Sequence, residues 1–202
     1  MSAIVKKTFF GTRMRLATFW LVSLFALYVL IAHPDPWLTG TLTGRVLALV
    51  GVVLTVIGIV GRGYCAVHIA GRKLSGLVTD GPYSLTRNPL YLFSLIGGIG
   101  IGLGGQNLYV LGLMLLAFAL YYPGVMLREQ RLLAEAHGEA FEAYRRETPF
   151  FFPRFSGFHE PRRLEVKPKS VRRNMIDTVY FSVVYALFAL VATLHAHGVL
   201  GG

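Results

Sequence analysis

Apolar segments alternate with polar, basic connections along this chain. Four are long: Leu16–Ala32, Val46–Val60, Gln106–Leu127 and Met175–His195. A fifth, Leu90–Gly104, is shorter and runs directly into the third. A spanning helix needs roughly 20 apolar residues, fewer where flanking side chains snorkel. Gly104-Gly105-Gln106-Asn107 is a turn signal. Leu90–Leu127 is therefore expected to be a tight helical hairpin. The predicted fold class is all-α: a polytopic membrane helical bundle of about five transmembrane helices. One domain covers 1–202, with a core over 46–155 and an additional C-terminal span over about 175–195.

The large polar region lies over Arg128–Ser170. Leu132, Leu133, Ala136, Ala140 and Phe141 recur at helical spacing with Gly138 among them, so Met126–Arg146 should be helical at its start, running out of the fourth span. Thr148-Pro149 ends it. Phe150-Phe151-Phe152-Pro153 reads as an apolar re-entry or interfacial strip. Pro161 and Pro168 mark an irregular linker into the last span.

Composition sharpens the membrane reading. Of 202 residues, 54% are hydrophobic and only 15% charged, too few charges to cover a soluble domain of this length. The net charge is +10. With such apolar spans, that charge points to anionic lipid rather than nucleic acid. Neither zinc-finger spacing nor an RNA-binding aromatic signature is present. Cytosolic loops gather Lys and Arg. With the N-terminus inside, the five-span arrangement puts all basic residues except Arg45 on one side: four in the N-terminal arm, four in Arg62–Arg87 and eleven in Arg128–Arg173. Ala32-His33-Pro34-Asp35-Pro36 is a poor cleavage site, so the first span is expected to be an uncleaved anchor. The single cysteine, Cys65, permits no intrachain disulfide.

Two stretches could carry chemistry. The first, Leu77 to Tyr91, contains the turn Gly81-Pro82 and carries Pro89, which suits the first turn of the next helix. A helix N-terminus favours an anion. Arg87 adds a planar cationic fork suited to a carboxylate, and Tyr83 and Tyr91 add ring faces. A basic turn anchored to lipid phosphate is the plainer alternative. The second stretch is Arg128-Glu129-Gln130-Arg131. An acidic residue at a membrane boundary is costly unless paired or wet. Glu129 could accept from ribose hydroxyls or an amino group, or pair with Arg87 or Arg131. Gly98 with Gly102, and Gly100 with Gly104, fit close helix packing. Gly100 to Gly105 formally match a dinucleotide fingerprint, but no strand precedes them. The six histidines show no metal spacing, and no metal site is expected. His195 and His197 should reach the outer interface, whereas His68 ends the second span on the inner side.

Gly81-Pro82-Tyr83 followed by Arg87-Asn88-Pro89-Leu90-Tyr91 resembles the first motif of the isoprenylcysteine carboxyl methyltransferases and the related phospholipid methyltransferases. Glu129, Leu133, His137-Gly138, Phe141, Tyr144 and Pro149 through Phe155 resemble their second. The resemblance covers Leu77 to Phe155. It implies a membrane-embedded site for S-adenosylmethionine, with S-adenosylhomocysteine as product. The implied cofactor contacts fall on His68, Ser75–Val78 (Leu77 and Val78 among them), Tyr83, Asn88, Pro89, Leu90, Tyr91 and Glu129, and Gly81 and Arg87 of the turn are expected to bind the cofactor with them. Three departures stand out. Asn88 replaces a frequent His, Gln130 replaces the second of a paired Glu, and Phe93 replaces a frequent Gly.

The expected activity is methyl transfer to a lipid-like or apolar acceptor: an isoprenoid carboxylate, a phospholipid amine or a small thiol. Arg87, Glu129 and Arg128 are the candidate catalytic residues, with Arg128 orienting an anionic acceptor head group. The cofactor would enter from the cytosolic side and the acceptor from the bilayer. Two alternatives stay open: an NADPH-dependent sterol-type reductase with a similar Arg-x-Pro-x-Tyr turn, and a non-enzymatic lipid-binding protein.

Overall fold

The computed structural model describes residues 3–35, 37–70, 76–164, 166 and 168–200, with side chains described from Thr18 onward in the first helix and from Val179 onward in the last. The described residues form helices and connections, with no strand. The order is α1 (Ala3–Ala32), α2 (Leu42–Ile69), α3 (Pro82–Leu85), α4 (Pro89–Gly104), α5 (Leu108–His137), α6 (Glu139–Glu147) and α7 (Pro168–Ala196), with a short 3₁₀ turn at Phe155–Gly157 before α7.

All five expected apolar segments are helical, and the molecule is a helical membrane bundle. Leu42–Ile69, Leu108–His137 and Val179–Ala196 are long and apolar enough to cross a membrane, and Thr18–Ala32 and Pro89–Gly104 are shorter apolar helices. Local chemistry sets the ends. Thr41 caps α2, its Oγ1 accepting from the Gly44 N–H at 3.1 Å. Asn107 caps α5, accepting from the Val110 N–H at 3.0 Å. Pro89 occupies the first turn of α4, where its missing N–H leaves no gap.

The segment over Met126–Arg146 is divided. It breaks at Gly138, whose φ of +51° ends α5 and begins α6. A left-handed residue cannot continue an α-helix, and glycine adopts that conformation without a Cβ penalty. Phe141 and Tyr144 are thereby buried on a separate helix.

The seam between α2 and α4 is built on missing side chains. A Cβ on Gly58 would lie 2.7 Å from Gly97 Cα, and one on Gly51 would lie 2.6 Å from the Gly100 carbonyl oxygen. Backbones this close gain dispersion contacts that larger residues would prevent. The expected glycine pairing is partly corrected. Gly97, Gly100 and Gly104 meet neighbouring helices, Gly102 faces Leu111 of α5, and Gly98 has nothing within 4 Å. The ring of Phe93, which replaces a frequent Gly of the resembled motif, fills the space over Gly61.

The last helix is part of this core. Phe181 and Tyr185 of α7 lie over Gly97 and Gly104, and the Tyr185 hydroxyl donates to the Ala48 carbonyl at 2.9 Å. Phe181 also faces the Arg62 guanidinium at 5.0 Å, and Arg62 donates to Ser94 of α4. Phe181 joins Ala26, Leu30, Ile101, Val110 and Phe188 in one hydrophobic cluster that ties α1, α4, α5 and α7 together, with Tyr185 packed against it.

Candidate functional site

The chemistry gathers at the end of the bundle where α2 finishes and α4 begins. Gly81 has φ +59° and precedes the single turn of α3. A Cβ there would strike the His68 ring, so glycine serves both the backbone conformation and the approach of α2. His68 is buried, with Nδ1 3.0 Å from the Tyr64 carbonyl oxygen and Nε2 turned toward Gly81.

The two sequence motifs are laced together by a return segment after α6. The Arg87 N–H donates to the Pro149 carbonyl at 2.9 Å, the Arg154 N–H to the Leu85 carbonyl at 3.0 Å, and the Gly81 N–H to the His159 carbonyl at 2.8 Å. Side chains add to the lacing. Asn88 Nδ2 donates to the Phe150 carbonyl at 2.8 Å, and Thr86 Oγ1 donates to the same oxygen at 3.2 Å. Ser84 Oγ donates to the Gly81 carbonyl at 2.6 Å and accepts from the His159 N–H at 3.2 Å. Residues 81–88 and 149–159 therefore run alongside each other as one unit. Thr148-Pro149 starts this course because the residue before proline prefers extended backbone, as Thr148 adopts here.

Above the unit sits a polar cluster. Arg87 Nη1 donates to Gln130 Oε1 at 2.7 Å, and its guanidinium lies 5.5 Å from the Phe150 ring. Arg87 Nε and Gln130 Nε2 are both buried with no hydrogen-bond partner among the described residues. Such donors lose their water without replacement. The Tyr144 hydroxyl donates to the Tyr83 carbonyl at 2.7 Å. Burial, then the neighbouring Cys65 and Glu129, hold the Tyr83 phenol well above its ordinary pKa, which places Glu129 within electrostatic reach of that ring. Burial and then Arg145 lower the Arg87 pKa, yet a guanidinium stays charged at any working pH.

The expected residues separate clearly. His68, Gly81, Tyr83, Arg87, Asn88, Pro89, Leu90, Tyr91 and Glu129 share this end of the bundle, and Leu77 and Val78 are half-buried in the segment leading into it. Ser75 lies outside the described residues. Arg128 is exposed on α5 beside Glu129. The Asn88 amide donor is engaged by the return segment. Gln130, Ser84 and Phe150 were not among the expected site residues, and Tyr144 belonged to the second motif without a role. Only tertiary contact reveals their parts, since each acts through a partner at least 43 residues away or through the turn it holds.

An apolar cavity of about 50 Å³ opens nearby, between α1, α4 and α5. Phe19, Leu95, Met114, Phe118 and Tyr122 line it. Tyr122 joins it to the motif end, with Phe118 stacked on one side at 4.5 Å and Tyr91 edge-on at 5.4 Å.

The sequence pattern of the phospholipid methyltransferase family matches residues 39–140, from the connection before α2 to the start of α6. The chain belongs to that family. It is 41% identical over 194 residues to the cobalt-zinc-cadmium resistance protein CzcN of Cupriavidus metallidurans, covering 95% of this chain and 88% of that protein. It is 38% identical over 172 residues to the nickel-cobalt-cadmium resistance protein NccN of Alcaligenes xylosoxydans xylosoxydans, covering 85% and 80%. No solved structure matches the chain. The match to CzcN takes in nearly the whole chain, so it reaches α7 as well as the family core.

Proposed function

We propose that this protein is an S-adenosylmethionine-dependent methyltransferase that modifies a lipid-like or otherwise apolar acceptor at the membrane. Family membership supplies the reaction class. The observation that carries the cofactor assignment is the pair of buried, unpartnered donors, Arg87 Nε and Gln130 Nε2, beside Glu129 and the start of α4. Donors left over in this way suit the carboxylate and hydroxyl oxygens of a zwitterionic nucleoside ligand.

When bound, S-adenosylmethionine supplies a sulfonium methyl open to in-line displacement. The residues of this chain would position the reactants. Arg87 and Gln130 hold the carboxylate end. Glu129 accepts from the amino group or ribose hydroxyls. Tyr83 and Tyr91 wall the pocket, with His68, Leu77, Val78, Gly81, Asn88, Pro89 and Leu90 around them. Alignment and exclusion of water supply most of the rate in such a displacement. A carboxylate or thiolate acceptor needs no strong base, whereas an ammonium acceptor must first release a proton to water or Glu129. Arg128, exposed beside Glu129, is available to an anionic head group. The cavity joined to Tyr91 through Tyr122 supports entry of the acceptor's apolar part from the bilayer. The gathering of basic residues supports a cytosolic position for the N-terminus and the site.

The relatives are named for metal resistance. Among the described residues no three His, Cys, Asp or Glu side chains converge as a metal site would need. Since the family is one of methyltransferases, we place a link to metal tolerance, for this chain, in the methylated product. The test is transfer of radiolabelled methyl from S-adenosylmethionine into membrane extracts. Label in the lipid-extractable fraction that disappears with Arg87→Ala is expected. No label above background with the folded wild-type protein would overturn the proposal.

A further inference from the structure

The return segment carries large aromatic side chains on its exterior. Phe152 is 80% exposed, Phe155 74% and Phe158 50%. Arg154, Arg162 and Arg163 are exposed among and just after them. The one described acidic side chain of the segment, Glu160, is engaged by the Tyr64 hydroxyl at the end of α2. That contact holds the segment against the rim of the bundle, at the level where the α2 span ends. Exposed aromatic rings interleaved with arginines are unfavourable in water and well suited to a headgroup layer. Rings settle at the acyl boundary, and guanidiniums pair with phosphates.

We infer that this strip docks into an anionic membrane interface, and that docking sets the geometry of the 81–88 turn. The coupling is physical: residues 149–159 are laced to residues 81–88 by the hydrogen bonds described above. A change in depth or tilt of the strip must move Pro149, Phe150, Arg154 and His159, and with them the backbone around Arg87. The coupling half of the inference rests on the proposed cofactor site, whereas the docking half does not.

The experiment uses the full-length Cys65→Ala/Ser156→Cys protein carrying a polarity-sensitive fluorophore on the new thiol. Cys65 is buried, and Ser156 is exposed between Phe155 and Gly157. Vesicles are phosphatidylcholine alone or with about 30% phosphatidylglycerol, enough to create a negative surface potential. Docking predicts blue-shifted emission, quenched by brominated lipid, in the anionic vesicles, with reversion toward the neutral-vesicle value at high salt. Arg162→Gln and Arg163→Gln should each lower the docked-to-free ratio roughly fivefold. Equal emission in the two vesicle types overturns docking. So does a shift that appears in neutral vesicles only on adding a soluble polyanion such as RNA or an acidic protein.

S-adenosylhomocysteine titration in the same vesicles reads the coupling, and tighter binding in the anionic ones is expected. Equal affinity in both vesicle types, with docking reported by the dye, overturns the coupling. No binding in either, alongside lipid-dependent emission, overturns the methyltransferase reading and leaves docking standing.

Discussion

The two ends of the bundle treat buried polar groups in opposite ways. At the end away from the motifs, Asp35 is 2% exposed and Asn107 1%. Asp35 accepts from the Trp37 N–H at 2.9 Å and from the Leu108 N–H at 3.1 Å, and Asn107 donates to the His33 carbonyl at 2.7 Å while capping α5. His195 faces the carbonyls of Leu30 and Leu200 at 3.2 and 3.0 Å. These polar groups hold α1, α5 and α7 in register and find their partners inside the protein. At the motif end, Arg87 and Gln130 bond to each other and still leave a buried donor each. A satisfied network fixes a fold, whereas an unsatisfied one is poised for a ligand.

Substitutions can break this contrast. Arg87→Ala removes a charged donor and should weaken S-adenosylhomocysteine binding about 100-fold, or ~3 kcal/mol, measured by calorimetry. Its melting temperature without ligand should fall less than that of Asp35→Ala, because Arg87→Ala loses the bond to Gln130 but strands no backbone N–H. Asp35→Ala should do the reverse, destabilising the fold by roughly 2 kcal/mol by stranding two N–H groups, with affinity unchanged. Equal losses of affinity in both variants would erase the distinction between the ends. Tyr144→Phe deletes one hydrogen bond to the Tyr83 turn. It should lower stability by about 1 kcal/mol and affinity about fivefold.

The smallest effect is in pH. Burial raises the pKa of both Tyr83 and Tyr144 above the ordinary 10.0. Their stabilisation is complete below that pH and declines as pH rises through it, because the unfolded chain releases its protons first. Neither phenol should contribute a stability change between about pH 7 and 9. A phenol-linked loss of stability inside that window, absent from Tyr83→Phe and Tyr144→Phe, would refute these assignments.

The helices were legible because apolar runs and caps are local. Pro89, Asn107 and the Gly104-Gly105 turn mark boundaries that the structure keeps. Gly138 was visible without its role, because spacing alone does not distinguish a tolerated helical glycine from one with positive φ. The motif residues were found by resemblance and do gather at one end. Their partners were not found, since Gln130 meets Arg87 only after α5 returns across the membrane, and Phe150 meets Asn88 only after α6 turns back. The place of α7 was equally hidden. Phe181 and Tyr185 look like ordinary apolar-span residues until α4 offers glycines beneath them.

The central claim is that the unsatisfied donors at Arg87 and Gln130 belong to an S-adenosylmethionine site. Titration of the purified protein in lipid nanodiscs with S-adenosylhomocysteine and with NADPH tests it directly. Saturable S-adenosylhomocysteine binding that is lost in Arg87→Ala and weakened in Gln130→Ala, with no NADPH response, is the predicted result. NADPH binding without S-adenosylhomocysteine binding, or S-adenosylhomocysteine binding indifferent to both substitutions, would contradict it.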